Sequence, residues 1–286
     1  MRRILHQYRT FGEAIKISHS VFALPFAISA AFIASEGLPS PGLLAKIVLA
    51  VVLARTAAMA FNRLADAEID ARNPRTAGRA LPQGLLSRRF MAAAALLGSA
   101  GFVATSAWIN TLAFRLSPVA VAILLGYSYT KRFTALSHVV LGAALGLSPL
   151  GAWIAVRGEF ALVPALLGTA VLLWTAGFDV IYACQDRDFD VRAGLHSLPR
   201  TLGLRGALRI ARLFHAGTLA FLVAVGWVGG LGAPYYAGVA LVLALLLYEH
   251  SLVRADDLSR VNVAFFTLNG LVSLVFMAAV VVQTLS

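Results

Sequence analysis

Residues 162–190 read LVPALLGTAVLLWTAGFDVIYACQDRDFD. From Leu162 to Phe178 the run carries no charge; Asp179, Tyr182, Asp186 and Asp190 then follow at offsets of three, four and four residues. A helix rises 1.5 Å per residue, so about 20 apolar residues cross a hydrocarbon core of about 30 Å. The stretch reads as a membrane-spanning helix whose far end carries acids on one face, because residues three and four apart share a helix face. The pattern occurs earlier too: the apolar run Leu43–Phe61 leads into Asn62, Arg63, Asp66 and Asp70. Carboxylates at the edge of an apolar span are costly and mark a site.

The rest of the chain is oily. Of 286 residues 59% are hydrophobic and 13% charged, and the mean hydropathy of +0.81 excludes an ordinary soluble domain. Apolar runs recur at Ser18–Ser35, Leu43–Phe61, Phe90–Trp108, Leu112–Tyr129, Val139–Val156, Leu162–Tyr182, Ala207–Val228, Pro234–Leu252 and Val261–Thr284. The expected fold class is all-α integral membrane, with nine transmembrane helices around a central cavity; eight is the alternative, because the third and fourth runs are joined by a short link. No linker divides the chain, so residues 1–286 read as one domain. Twenty of the 24 Lys and Arg fall in alternate loops, beginning with Arg2, Arg3, Arg9 and Lys16. Basic residues are retained on the cytoplasmic side, which predicts a cytoplasmic N-terminus and acidic motifs that face the cytoplasm. Spread over separate loops, the net charge of +11 points to anionic membrane lipid and a phosphorylated substrate, not nucleic acid. The first run lacks a cleavage pattern and reads as a retained span. Cys184 is the only cysteine, which leaves no disulfide framework, and it reads as an apolar filler.

Neighbouring carboxylates on one helix face repel each other, and a divalent cation removes that cost. Oxygen donors without a Cys or His cluster favour Mg²⁺, which takes one or two carboxylates and completes its octahedron with water and phosphate oxygens. That combination points to a diphosphate. Basic residues accompany both motifs: Arg63, Arg75 and Arg79 follow the first, Arg187 and Arg192 interleave with the second, and Lys131-Arg132 lies in the fourth-to-fifth loop. Arg forks match phosphate oxygens, and Lys supplies a compact charge. The two acidic segments resemble each other in pattern, which places two similar helix ends across one cavity. Histidine is a common acid–base group, but His19 and His196 read as boundary or loop residues.

At these residues the chain resembles the UbiA superfamily of intramembrane prenyltransferases. The NRxxDxxxD motif of that family is matched by Asn62, Arg63, Asp66 and Asp70. Its NxRTxxR stretch is matched by Asn73, Arg75, Thr76 and Arg79, and its DxxYxxxDxxxD motif by Asp179, Tyr182, Asp186 and Asp190. The likeness extends over nearly the whole chain; Ala80 departs from it, standing where many members have proline. The resemblance implies Mg²⁺ held by Asp66, Asp70, Asp186 and Asp190. It implies a polyprenyl diphosphate bound by Asn62, Arg63, Arg75, Arg79, Lys131, Arg132 and Arg187, with Asp179, Tyr182 and Lys131 as catalytic groups.

The acceptor implied is an aromatic acid, either 4-hydroxybenzoate of ubiquinone synthesis or a dihydroxynaphthoate of menaquinone synthesis. The wording Asn73-Pro74-Arg75-Thr76-Ala77 and Gly194-Leu195-His196-Ser197 leans toward the second. The location implied is the bacterial inner membrane. A UbiA-type enzyme acting on haem or chlorophyllide and a cation-coupled transporter are the alternatives. The transporter fits less well, because its acids belong near the midplane and these lie at span ends.

Overall fold

The computed structural model of the chain describes residues 9–286, the side chains of residues 17–19 apart. Arg2, Arg3 and the His19 side chain, considered above, lie outside the described residues. Within them the chain is 81% helix with no strand. In chain order the α-helices are α1 (Leu24–Ser35), α2 (Pro41–Ala65), α3 (Ala67–Arg72), α4 (Arg88–Ile109), α5 (Thr111–Thr130), α6 (Ser137–Arg157), α7 (Leu162–Ala183), α8 (Arg187–Ala193), α9 (Leu198–Val228), α10 (Ala233–Leu252) and α11 (Asn269–Leu285). A π-helical turn, Val263–Leu268, runs into α11.

Among the described residues eight helices are long and apolar enough to cross a membrane. The first expected span, Ser18–Ser35, is shorter: a 3₁₀ turn, Ile17–Phe22, leads into α1, with Pro25 in its first turn. Proline lacks an N–H and suits a helix start, so the α-helix begins there. The third and fourth runs are separate helices. Asn110 divides them, its Oδ1 accepting from the Ala113 N–H at 2.8 Å while its Nδ2 donates to the Ile154 carbonyl at 2.7 Å. In α9, Gly203 at φ 68° breaks the helix, so the apolar run expected from Ala207 starts after a short first segment.

The acidic motifs do not continue as unbroken helical stripes. α2 stops at Ala65, and Asp66 takes φ −96°, ψ 4° before α3. α7 stops at Ala183; a 3₁₀ turn, Cys184–Asp186, follows, and Asp186 takes φ −98°, ψ 0° before α8. This corrects the expectation of one continuous face per motif. Both middle aspartates occupy the same sparsely populated backbone region, where functional residues concentrate. The two segments therefore share a broken-helix geometry as well as a pattern.

α7 lies at the centre. Leu167, Val171, Trp174, Val180 and Ile181 are fully enclosed, and α6 and α9 flank the helix. α9, α10, α11, α1 and α6 follow one another around it, while α2, α4 and α5 pack together and join this ring through α1 and α6. Lipid tails are as apolar as leucine, so close backbone approach must hold such helices together. α6 meets α7 through glycines four residues apart. A Cβ at Gly146 would lie 2.5 Å from the Gly168 carbonyl oxygen, and one at Gly142 would collide with the Leu172 carbonyl. Gly151, on the same helix, faces open space. We expect Gly142→Ala and Gly146→Ala to lower the melting temperature of the detergent-solubilised protein, at a cost of about 1–3 kcal/mol. Gly151→Ala should leave it unchanged or raise it, since alanine is the better helix former. Melting shifts of the same sign at all three positions would contradict the packing.

Candidate active site

A cavity of about 290 Å³ brings the two motifs together. Asn62, Arg63, Asp66, Asp70, Arg75, Arg79, Lys131, Asp179, Tyr182, Asp186 and Asp190 all line it. Arg132 and Arg187 do not. Arg132 packs behind Asp66, donating to the Ala65 and Ser128 carbonyls and reaching Asp66 Oδ1 at 3.3 Å. Arg187 pairs instead with exposed Asp188 at 3.1 Å, outside that cavity. One position beyond Asp186 on a helix points about 100° away.

Every cavity-lining carboxylate of the two motifs has a partner. Asp66 Oδ2 accepts from Lys131 Nζ at 2.7 Å and from Asn62 Nδ2 at 3.1 Å. Asp70 accepts at both oxygens from Arg79 Nη1 at 2.7 Å, and Arg63 lies 3.6 Å away. Arg75 crosses from the first motif's loop to the second motif. Its Nε and Nη2 donate to the two oxygens of Asp186 at 2.8 and 2.5 Å, and its Nη1 donates to the Tyr182 hydroxyl at 2.8 Å. Burial works against the Arg75 charge, but the hydrogen bond and negative charge of Asp186 hold its pKa above the ordinary value. Asn73 Nδ2 adds a bond to Asp186 at 2.9 Å. Such pairs are what make buried charge tolerable, since removing one partner strands the other.

Other groups were not singled out in the sequence. Asp190 accepts from the Ser197 hydroxyl at 2.7 Å. Asp179 Oδ2 lies 2.7 Å from His138 Nδ1; the Leu198 N–H faces the other ring nitrogen at 3.5 Å, which leaves Nδ1 to donate. His138 sits at the start of an apolar run with no motif around it, and only the fold brings it to Asp179. Lys16 also lines the cavity. Its ammonium is held below the usual lysine range by burial, then by Arg63 and Arg79, with Glu13 opposing and Arg75 adding to the effect. At His196 the backbone N–H donates to the Lys131 carbonyl at 2.7 Å. Cys184 is buried with its thiol on the Val180 carbonyl, as a filler would be.

Among the described residues no three His, Cys, Asp or Glu side chains converge as a ready-made metal cage. The donors present, paired carboxylates facing each other across a cavity, suit an ion that takes one or two of them and leaves room for phosphate oxygens. Charge counting agrees. Six cationic side chains and five aspartates line the cavity, an excess of one positive charge. A diphosphate ester carries about three negative charges, which leaves a deficit that one divalent cation cancels. Below this polar chamber a second, apolar cavity of about 330 Å³ opens between α2, α4, α5 and α6. Arg55, Met59, Tyr127, Leu141 and Leu145 line both, so the two adjoin.

Comparison with known proteins agrees with this architecture. The description of the UbiA prenyltransferase family matches residues 23–271. A 4-hydroxybenzoate octaprenyltransferase of Yersinia enterocolitica is 35% identical over 286 residues, covering 98% of this chain and 97% of its own. The apo structure of a UbiA homologue from Aeropyrum pernix superposes with a TM-score of 0.86 at 37% identity, over 94% of this chain and 99% of that one. A UbiA homologue from Archaeoglobus fulgidus bound to GPP and Mg²⁺ superposes with a TM-score of 0.77 over 96% of this chain and 99% of that one. At 21% identity that is a likeness of fold. These matches run the length of the chain and set the transporter alternative aside: the chain belongs to the UbiA prenyltransferase family and is a membrane prenyltransferase.

Proposed function

We propose that the chain transfers a polyprenyl group from an allylic diphosphate to a 4-hydroxybenzoate-type aromatic acid, with Mg²⁺, at the cytoplasmic face of the bacterial inner membrane. The observation that carries this reading is the single chamber in which both acidic motifs meet phosphate-binding cations and which continues into an apolar cavity. The name of the Yersinia relative supports the benzoate acceptor over the dihydroxynaphthoate toward which local wording leaned. The ligands of the Archaeoglobus homologue support the donor and the metal. The shorter Ser20–Ser35 helix beside the eight longer ones supports a count of nine spans, and the basic residues in alternate loops support a cytoplasmic N-terminus and cytoplasmic motifs. The whole chain acts as one unit.

Asp66, Asp70, Asp186 and Asp190 would hold Mg²⁺, which when bound neutralises the charge of the departing diphosphate. Lys131, Arg63, Asn62, Arg75 and Arg79 receive the diphosphate oxygens, in part by exchanging their present carboxylate partners for phosphate. The allylic C–O bond breaks with its electron pair leaving on the diphosphate. The prenyl carbon then bonds a ring carbon of the acceptor, and the ring proton passes to Asp179. His138 fixes the orientation of Asp179. One turn deeper, Thr175 Oγ1 is buried, lines the chamber and has no hydrogen-bond partner among the described residues. It is placed for a polar group of the acceptor. The apolar cavity, with Phe102, Leu116, Ile123 and Leu147 in its wall, takes the prenyl chain. A dry chamber matters because water would capture the allyl cation as an alcohol.

Two outcomes follow for purified protein supplied with Mg²⁺, a long allylic diphosphate and 4-hydroxybenzoate. Asp66→Asn and Asp186→Asn should each cut formation of the C-prenylated acid by at least about 100-fold, with insertion and melting retained, and chelation of divalent ions should abolish it in the wild type. A mass-spectrometric assay that finds no prenylated product with any aromatic acid contradicts the proposal. The second concerns pH. A lysine held below its ordinary pKa loses its charge earlier as pH rises, so the KM for the diphosphate should climb on the alkaline side through Lys16. Lys16→Arg, charged throughout that range, should flatten the climb; an unchanged profile in that variant removes Lys16 from diphosphate binding.

A further inference from the structure

One buried polar pair takes no part in the chemistry above. Glu249 on α10 and Asn269 at the start of α11 are both fully enclosed within the bundle. Asn269 Nδ2 donates to Glu249 Oε1 at 3.0 Å and to the Ala264 carbonyl at 3.0 Å. Glu249 Oε2 and Asn269 Oδ1 find no hydrogen-bond partner among the described residues. An acid and an amide shut between spans are expensive, and groups of that kind persist where they serve function.

What the pair holds is the π turn Val263–Leu268. A π turn bonds each carbonyl to a group five residues on and occurs mostly as a single turn at functional sites. Here the Asn269 side chain reaches back those five residues to Ala264, and Glu249 anchors the amide from the neighbouring helix. The extra residue of the turn rotates the preceding side chains about the helix axis. Phe265 and Phe266 lie within it, and both line the reaction chamber. Phe265 stacks on Tyr182 with ring centres 4.1 Å apart and meets Phe178 edge-on at 5.3 Å. Phe266 in turn meets Phe265 edge-on at 4.8 Å. Through the Tyr182 hydroxyl this aromatic group joins Arg75, and so the carboxylates.

We propose that Glu249 and Asn269 are positioning residues: they lock the π turn so that Phe265 and Phe266 wall the chamber beside the allyl cation and keep water from it. The proposal rests on the prenyl-transfer reading and deepens it. Ring faces attract a cation, and a closed wall denies it water. Water adding to the cation gives the prenyl alcohol and a proton, whereas the acceptor ring gives the C-prenylated acid and a proton. The wall therefore sets the ratio of the two products.

The test uses full-length protein with Mg²⁺, an allylic diphosphate and 4-hydroxybenzoate, both products being quantified in one reaction. Asn269→Leu and Asn269→Ala should raise the ratio of prenyl alcohol to prenylated acid about tenfold, with the diphosphate KM within about twofold of wild type. Phe266→Leu, which leaves the pair intact, should shift the ratio in the same direction. Glu249→Gln keeps an oxygen acceptor for Asn269 and should keep the wild-type ratio, while Glu249→Leu should not. A loss confined to overall rate would mark a merely structural role. If the wild type makes prenylated acid while both Asn269 variants, or whichever of them folds, keep its ratio, the positioning role is overturned alone. If the wild type makes none from any aromatic acid, the prenyl-transfer reading falls and the inference with it.

Discussion

Arg75 and Asp186 join the two halves of the site, and the rest of the arrangement depends on that join. A guanidinium on the loop after the first motif places two donors on the carboxylate of the second and a third on Tyr182. In the chamber, where both side chains are only partly exposed, each charge is stabilised by the other. The pairing therefore fixes where the loop after α3 lies, and with it Asn73, Arg79 and the carboxylates they touch. Fold and chemistry share one constraint here: the charges that a diphosphate and its metal need must first compensate each other without them.

The surrounding helices are arranged to keep that charge local and the remainder dry. Close glycine contacts draw α6 against α7, the most enclosed of the eight long helices, which carries Asp179 and Tyr182 to the chamber. Helix breaks at Asp66 and Asp186 then turn the two motif ends toward each other. Away from the polar chamber the lining becomes apolar within a few residues, from Arg55 to Ala54, Val51 and Ile47 along α2. Polar and apolar solvation thus adjoin, as the proposed leaving group and its chain require.

Much of this was legible in the sequence, because membrane helices and acid spacing leave strong periodic signals. The all-helical class and the spans near Leu43, Phe90 and Leu162 came from apolar run length. Nine of the motif and basic residues expected around the donor and metal converge in one chamber, the motif residues because both motifs end spans and the other basic residues because their loops fold back over them. Geometry that turns on a single backbone angle was not legible. The bends at Asp66 and Asp186 are set by backbone angles that carry no sequence period. Arg187 and Arg132 stand next to residues that line the chamber, and adjacency in sequence does not tell which of two neighbours faces inward. His138 carries no local signal, since its partner Asp179 is 41 residues away. The glycine pair Gly142 and Gly146 was not singled out in the sequence; the structure shows it as a small-residue contact between spans. The π turn was not legible either, because nothing in Val263–Leu268 distinguishes it from a continuing apolar helix.

In the proposed function the two acidic motifs form one metal-assisted diphosphate site. The most direct measurement is a structure of the protein with a slowly reacting thio-analogue of an allylic diphosphate and Mn²⁺ in place of Mg²⁺, its metal positions read from anomalous scattering. The account predicts metal density bridging the diphosphate to carboxylates of both motifs, Asp66 or Asp70 on one side and Asp186 or Asp190 on the other, with Lys131 on the phosphate and the chain in the apolar cavity. A diphosphate bound to one motif alone, or outside this chamber, would contradict it.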